Sequence, residues 1–348
     1  MPHKLPLVSI IVLNWNGKKV IRQSLNSIRK LKYPNIEVIV VDNNSTDGST
    51  KVIRKEFSEF LLVRNRKNLG FAAGMNVGIR KAKGEMILLY NNDAIIHPRS
   101  LSILVNRALS NDTIGMVSGL VLYYEPRDMI WSLGGMFDIV SGTIWSEGLG
   151  KRLTEIAIDY KPITDVGYLS GCVLLVKKEV INKIGLLDEE LFLGGDDIDW
   201  CLKANRAGYR CILDPSAVVW HIGSYSLRQL PLKSYHERQK SDFRIILSHF
   251  PFPFLISALF FQLFAMPLIE LLVFRKSDVR LSQRFRARVQ AFSENLRTLR
   301  KLLHKRKQLH KLGTFKPKIR TLNLLKFAPT RIRATELYMG KLFQKERL

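Results

Sequence analysis

The sequence predicts an α/β fold, a mostly parallel sheet with helices on both faces, followed by a hydrophobic and then basic helical C-terminal region. Three observations carry that expectation. Short β-branched runs alternate with stretches of helical periodicity. Polar clusters follow directly on three of those runs, at Asn14, Asp42 and Asp93. Beyond them the composition changes, first to an apolar block at 250–274 and then to a tail dense in Lys and Arg.

The elements follow in order. Val8–Leu13 (VSIIVL) reads as a strand, and Lys18–Lys30 as a helix in which Val20, Ile21, Leu25 and Ile28 recur on one face. Ile36–Val41 is a second strand, and the turn Asp42–Gly48 leads into a helix near Ser49. Leu61–Val63, the helix Ala72–Ala82 and the strand Glu85–Tyr90 come next, the last ending in Asn91-Asn92-Asp93. Pro98 suits a first helical turn continued by Ser100–Leu109, and Met116–Tyr123 returns as a strand. Trp131–Gly150 reads as a hairpin and loop, Leu169–Val176 as a strand and Asp197–Ala207 as a helix. Tyr209–Leu213 and Ala217–Trp220 are two final short strands before His221. Alternation of this kind implies crossover connections, with ligands bound beyond the carboxyl ends of the strands. The three polar clusters should therefore converge on one crevice.

At 348 residues the chain can hold one large α/β domain and an appendage. Cys172, Cys201 and Cys211 are odd in number and form no C-x-x-C pair, which excludes a disulfide framework or zinc cluster and points to a reducing compartment. Leu5–Leu13 is broken by Pro6 and Ser9 and reads as the entry to a strand, not as a secretory signal. The formal net charge is +25, unevenly spread. From Arg275 onward 22 Lys and Arg face four acids, a surplus of 18.

Phe250–Phe274 holds one acid, Glu270, and no base. Its length approaches a bilayer core, although Pro251, Pro253 and Pro267 interrupt it. Bases flank it on both sides, so a single crossing would put a basic segment on the non-cytoplasmic face. A monotopic or re-entrant element is favoured, with the protein at the cytoplasmic face of the membrane as a peripheral, monotopic or single-span protein. A helix pair buried in a soluble core is the plainer alternative. The expected division is a domain over 1–240, a hydrophobic membrane-associated segment over 241–276 and a basic, mainly helical tail over 277–348.

Five segments, VSIIVLNWNG, VIVVDNNSTDGS, NLGFAAGMNVGI, MILLYNNDAII and GGDDIDWCLKANRAGYR, occur in this order between about residues 6 and 225. Together they resemble glycosyltransferase family 2 in the Rossmann-like GT-A fold, in particular its rhamnosyltransferase-like branch. The resemblance implies inverting, metal-dependent transfer from a nucleotide diphosphate sugar, UDP or dTDP linked, to a saccharide or lipid-linked acceptor in cell-surface polysaccharide assembly. A carboxylate such as Asp42 suits a uracil or thymine N–H or ribose hydroxyls, and the resemblance assigns it that role, with Asn14 and the backbone around Val12 forming the base-binding edge. Asn91-Asn92-Asp93 stands where the family carries Asp-x-Asp. Asp93, with His221 from VVWHIGS, is thereby implied to hold a Mg²⁺ or Mn²⁺ ion, while Asn91 and Asn92 face the donor. Asn in place of the first Asp predicts weaker metal binding.

Asp196-Asp197 matches the acidic pair that opens the acceptor-side helix, and by position Asp197 is the general base. Like charge on Asp196 raises the proton affinity of Asp197, whereas the helix N-terminus lowers it. Both acids could also simply cap the helix, with Asp199 continuing a solvated face. Asn68, Gly70, Gly74 and Asn76 lie at a glycine-rich helix start that suits phosphate or sugar contact and equally suits tight helix packing. Trp200 reads as a core aromatic. Two other readings remain: a polyprenyl-phosphate sugar synthase, which shares the donor half, and a basic nucleic-acid-binding protein. No helix-turn-helix, zinc or RNP signature supports the second, and no nucleic-acid partner is expected.

Overall fold

Eight strands run side by side as one path of a larger sheet in the computed structural model, which describes residues 5–156, 164–222, 231–273 and 280–314. The first half is parallel. β1 (Val8–Asn14) lies between β2 (Ile36–Asp42) and β4 (Met86–Asn91), and β3 (Leu61–Arg64) closes the edge beside β2. Crossover helices connect them: α1 (Ile21–Arg29), α2 (Ser49–Glu56) and α3 (Phe71–Lys81). After β4 come β5 (Ala94–Ile96), α4 (Ser100–Leu109) and β6 (Ile114–Tyr123), then the short β7 (Ile130–Ser132).

β1 shows why the sheet is covered on both sides. Ile11 joins Ala72, Met75 and Ile79 of α3 in one core, whereas Val8, Ile10 and Val12 join Ile21 and Leu25 of α1, Ile53 of α2 and Leu104 of α4 in the other. Successive side chains of a strand point to opposite faces, so a continuous apolar run is what two helical layers require.

The second half of the sheet is mixed. β8 (Gly135–Asp138) and β9 (Thr143–Ser146) form a separate antiparallel hairpin within the stretch expected to hold one. β10 (Thr164–Asp165) is an edge strand, and β11 (Val173–Lys177) inserts antiparallel between β4 and β6. Helices α5 (Lys178–Ile184) and α6 (Asp196–Arg206) follow. The two expected final strands are one long strand, β12 (Arg210–His221), parallel to β6, with a register shift between Asp214 and Val218. Pro215 falls in that shift; it has no N–H to give the ladder, and a bulge accommodates it.

The C-terminal region continues as helices. α7 (Pro231–His249) crosses residue 240 without a break, and α8 (Phe252–Phe260) runs through a π-helical turn at Phe261–Ala265 into α9 (Met266–Val273). Phe252–Glu270 is a single 19-residue helix long and apolar enough to cross a membrane, with 17% of its most apolar stretch buried, so it is not a core helix. α10 (Leu281–Arg297) packs along α7, and α11 (Leu299–Leu312) reaches α7 and α6. Of the basic tail expected over 277–348, residues 315–348 lie outside the described residues.

Candidate active site

In-register strand ends bring together the residues that the sequence assigns to a donor. Asn14 closes β1 directly opposite Asp42, the last residue of β2, and Leu13 stands opposite Asn91, the last residue of β4. The Asn14 side chain links all three. Its Nδ2 lies 3.0 Å from Asp42 Oδ1, 3.1 Å from Ser45 Oγ and 2.9 Å from Ser49 Oγ, and its Oδ1 accepts from Asn92 Nδ2 at 3.0 Å. Asp42 is completely buried; Oδ2 accepts from Ser45 N at 3.2 Å and faces Arg64 Nε at 3.4 Å. Val12 sits between Val40 and Tyr90 with its side chain in the core, so only its backbone borders this end of the sheet.

Asn43 was not singled out in the sequence, yet it organises the next turn. Its Nδ2 donates to Asn68 Oδ1 and Gly70 O, both at 2.9 Å, and its Oδ1 accepts from Asn65 Nδ2 at 3.0 Å and Leu69 N at 3.1 Å. The signal available was the doubled Asn after a strand, a residue type that bonds neighbouring backbone readily. Asn68 is thus committed to the turn. Gly74 packs α3 against β1, since an added Cβ would meet Leu13 Cδ1 at 2.6 Å and Asn43 Nδ2 at 3.2 Å. Asn76 bonds away from the crevice: its amide donates to Leu187 O at 2.9 Å and Glu189 Oε1 at 3.0 Å and accepts from Leu187 N at 3.1 Å.

Asp93 and His221 meet through strand pairing. β5 pairs antiparallel with β12, setting Ala94 opposite His221, and Ile222 N donates to Asp93 O at 2.8 Å. Asp93 Oδ1 and His221 Nε2 are 3.0 Å apart, both side chains are buried, and the Trp131 ring packs edge-on against the imidazole at 4.6 Å. Two ligands in adjacent positions of an octahedral cation about 2.1 Å away would themselves stand about 3.0 Å apart. The pair therefore fits a Mg²⁺ or Mn²⁺ ion. Asn91 Oδ1, two residues before Asp93, is buried without a hydrogen-bond partner, an oxygen left over for a ligand. Among the described residues no group of three or more His, Cys, Asp or Glu side chains is arranged to hold a metal.

The residues that the sequence assigns to an acceptor open α6. Asp197 Oδ2 accepts from Gly171 N at 2.8 Å and Oδ1 from Ile198 N at 2.8 Å. The two backbones approach closely here, since an added Cβ at Gly171 would stand 3.3 Å from Asp197 Cβ. Burial pushes the Asp196 carboxyl well above the usual range, with the neighbouring Asp197 charge adding to it. Burial also raises Asp197, outweighing the Gly171 and Ile198 N–H donors and the nearby Arg238 cation of α7. Desolvation thus settles the competition between repulsion and helix dipole in favour of the proton. Asp199 does not face solvent: it is fully buried and bonded to Lys203, His249 and Lys305. Trp200 is core, its indole N–H donating to Gly185 O at 2.9 Å.

β11 joins the two sides. Asn91 N donates to Cys172 O at 3.1 Å, and the preceding residue, Gly171, holds Asp197. Burial raises the Cys172 thiol, and the charges of Asp93 and Asp197 raise it further.

Residues 9–185 match the family model described as Glycosyl transferase family 2. The chain is 24% identical over 264 residues to the N-acetylglucosaminyl-diphospho-decaprenol L-rhamnosyltransferase of Mycobacterium tuberculosis, covering 70% of this chain and 84% of that protein. It is 30% identical over 253 residues to the uncharacterized protein y4gI of Sinorhizobium fredii, covering 68% of this chain and 27% of that much longer protein. A solved mannosyltransferase from Pyrobaculum calidifontis, PcManGT, in complex with GDP-Man and Mn²⁺, superposes with a TM-score of 0.53 at 20% identity, over 89% of this chain and 86% of that one. A GT-A-like mixed sheet flanked by helices, with a match across half its length, makes this chain a member of glycosyltransferase family 2.

Proposed function

We infer that the chain catalyses inverting transfer of a sugar from a nucleotide diphosphate donor, UDP or dTDP linked, to a saccharide or lipid-linked acceptor in polysaccharide assembly at the cytoplasmic face of a membrane. The observation that carries the reading is the Gly171-Cys172 link, in which Gly171 N donates to Asp197 and Cys172 O accepts from Asn91 N, two residues before Asp93. Direct displacement needs a cation-holding pole and a proton-accepting pole on opposite sides of the anomeric carbon. Asp42, Asn14 and the backbone around Val12 receive the nucleoside. Asn91 and Asn92 face the sugar and diphosphate, Asn68 shapes the turn beside them, Gly74 packs the helix behind that turn, and Asn76 fastens the helix to Leu187 and Glu189. Asp93 and His221 hold Mg²⁺ or Mn²⁺, which when bound neutralises charge on the leaving diphosphate. Asp197, its proton affinity raised, takes the acceptor hydroxyl proton as the new C–O bond forms and the bond to phosphate breaks with its electrons staying on the diphosphate. Asp196 supports it.

Residues 1–240 carry this chemistry, the exposed face of Phe252–Glu270 within 241–276 meets the membrane, and 277–348 add positive charge toward lipid phosphates. The lipid-linked acceptor is favoured over a soluble one because the apolar helix is exposed and because the mycobacterial relative is named for a diphospho-decaprenol substrate. Asp197→Asn should lower transfer by about 100- to 10,000-fold, the span of general-base catalysis. Donor affinity, read by thermal shift with UDP- and dTDP-sugars with and without Mn²⁺, should stay within a few fold. Full turnover by that variant would end the assignment.

A further inference from the structure

The surface of the apolar helix divides lengthwise into two stripes. Ala258, Gln262, Met266 and Glu270, four residues apart, are each 6% exposed or less. Phe252, Ile256, Phe260, Phe264 and Leu268, also four apart, are between 58% and 70% exposed. The inward stripe is the polar one. Gln262 Nε2 donates to Ser141 O at 3.0 Å, and Arg288 donates to Gln262 O at 2.9 Å and to Glu270 Oε1 at 2.6 Å. Tyr235 OH donates to the same carboxylate at 2.9 Å. Amide and carboxylate face the protein while aromatic rings face out, the reverse of an ordinary surface helix.

Length does not decide between crossing and lying flat, because 19 helical residues span about 28 Å, close to a hydrocarbon core. The inward stripe does. It fastens the helix to the loop of the β8–β9 hairpin through Ser141, to α7 through Tyr235 and to α10 through the fully buried Arg288. A crossing helix would drag α10 into hydrocarbon together with its exposed Arg286 and Gln290.

We propose that Phe252–Glu270 lies in the plane of an anionic phospholipid bilayer, its outward stripe sunk at the boundary between headgroups and acyl chains, and does not cross it. This rests on the membrane-surface reading above and gives it a geometry. The charge around the helix selects the occupant: α10 exposes Leu281, Phe285 and Val289 with Arg280 and Arg286 beside them, a pattern of apolar anchors among bases that suits acidic headgroups. A second copy of the same basic surface would meet like charge.

The test uses the full chain carrying one added cysteine, Phe252→Cys, Phe260→Cys or Leu268→Cys, each labelled with a fluorophore. The native Cys172, Cys201 and Cys211 are buried and stay unlabelled in the folded protein. On vesicles of phosphatidylcholine and phosphatidylglycerol, quenching by lipids spin-labelled at graded depths should report one shallow depth for all three positions. A reading at the bilayer centre for position 260, with 252 and 268 near the interfaces, overturns the in-plane geometry while leaving membrane binding intact. No binding of the unlabelled chain to any vesicle overturns the membrane reading itself, and a dimer that buries the stripe replaces the bilayer with a second copy. Ile256→Gln combined with Phe264→Gln, both at exposed positions, should weaken vesicle binding by about 100-fold with turnover on a soluble acceptor unchanged. Equal vesicle binding by that variant counts against the proposal.

Discussion

Asn14 does more for the proposed donor side than any carboxylate, because one amide holds the last residue of β2 and the loop after β4 in a fixed relation. It can do so only because Gly17 leaves room. A Cβ at position 17 would collide with Asn92 Nδ2 and Asn14 Oδ1, the two atoms of the bond that joins those loops. Overpacking of this kind costs about 1–3 kcal/mol, and the cheapest relief is rotation of Asn92 away from Asn14. Gly17→Ala should therefore keep the fold, lower Tm by a few degrees and weaken nucleotide binding by about tenfold or more, measured by calorimetric titration with UDP. Unchanged affinity would mean that the Asn14 to Asn92 bond does not shape the donor side.

At the scale of elements, α6 carries the proposed base at its front and is clamped from behind. Asp199 forms an ion pair with Lys203 at 2.9 Å and accepts from His249 of α7 at 2.8 Å, and Lys305 of α11 reaches both Asp199 and, at 2.6 Å, Asp188. Burial acts to raise the Asp199 carboxyl, but Lys203, Lys305 and His249 together hold it well below the usual range. Burial, against the pull of Asp199, pushes His249 down to about 4. The imidazole is neutral in the folded protein at pH 7, whereas the unfolded chain takes up a proton near the ordinary value of about 6.5. Between those two values the unfolded state binds more protons, so stability falls as pH drops from about 6.5 to 4. His249→Gln keeps a donor for Asp199 and removes the titration, and Tm measured across this range should flatten; an unchanged slope would place the acid sensitivity elsewhere. The long-range part of this clamp was not legible in the sequence, because Asp199 and Lys305 lie 106 positions apart and no local pattern links them, whereas Asp199 and Lys203 are an ordinary i,i+4 helix pair. The strands were legible, since runs such as VSIIVL and IEVIVV encode burial on both faces. The antiparallel direction of β11 was not, because an apolar run reads alike in either direction. The site was read from positions at strand ends; which of those side chains serve the crevice and which, like Asn76, bind the scaffold depends on contacts across the chain.

For the whole molecule, the helices after β12 brace the domain, apart from the membrane contact proposed for them. Arg206, at the end of α6, donates to His249 O at 2.9 Å and to Gly313 O at 3.2 Å, and burial lowers its guanidinium to about 10. Gly313 must be glycine to come so near, as its φ of 140° and the collision of an added Cβ with Arg206 O both require. Arg306 ties α11 to the end of α7 through Leu247 O at 2.7 Å and Phe250 O at 2.9 Å. A chain ending at Ser241 would cut α7 in the middle, removing His249, Lys305 and both carbonyl partners of Arg206 together. It would leave Asp199 with Lys203 alone and Arg206 without those acceptors, and an uncompensated buried charge costs about 3–5 kcal/mol. The expected result is a fall in Tm of roughly 10 °C or more and loss of turnover even on a soluble acceptor, where membrane contact plays no part. A shortened chain with the Tm and donor affinity of the full protein would show that α6 holds its place unaided and that the C-terminal helices serve the membrane alone.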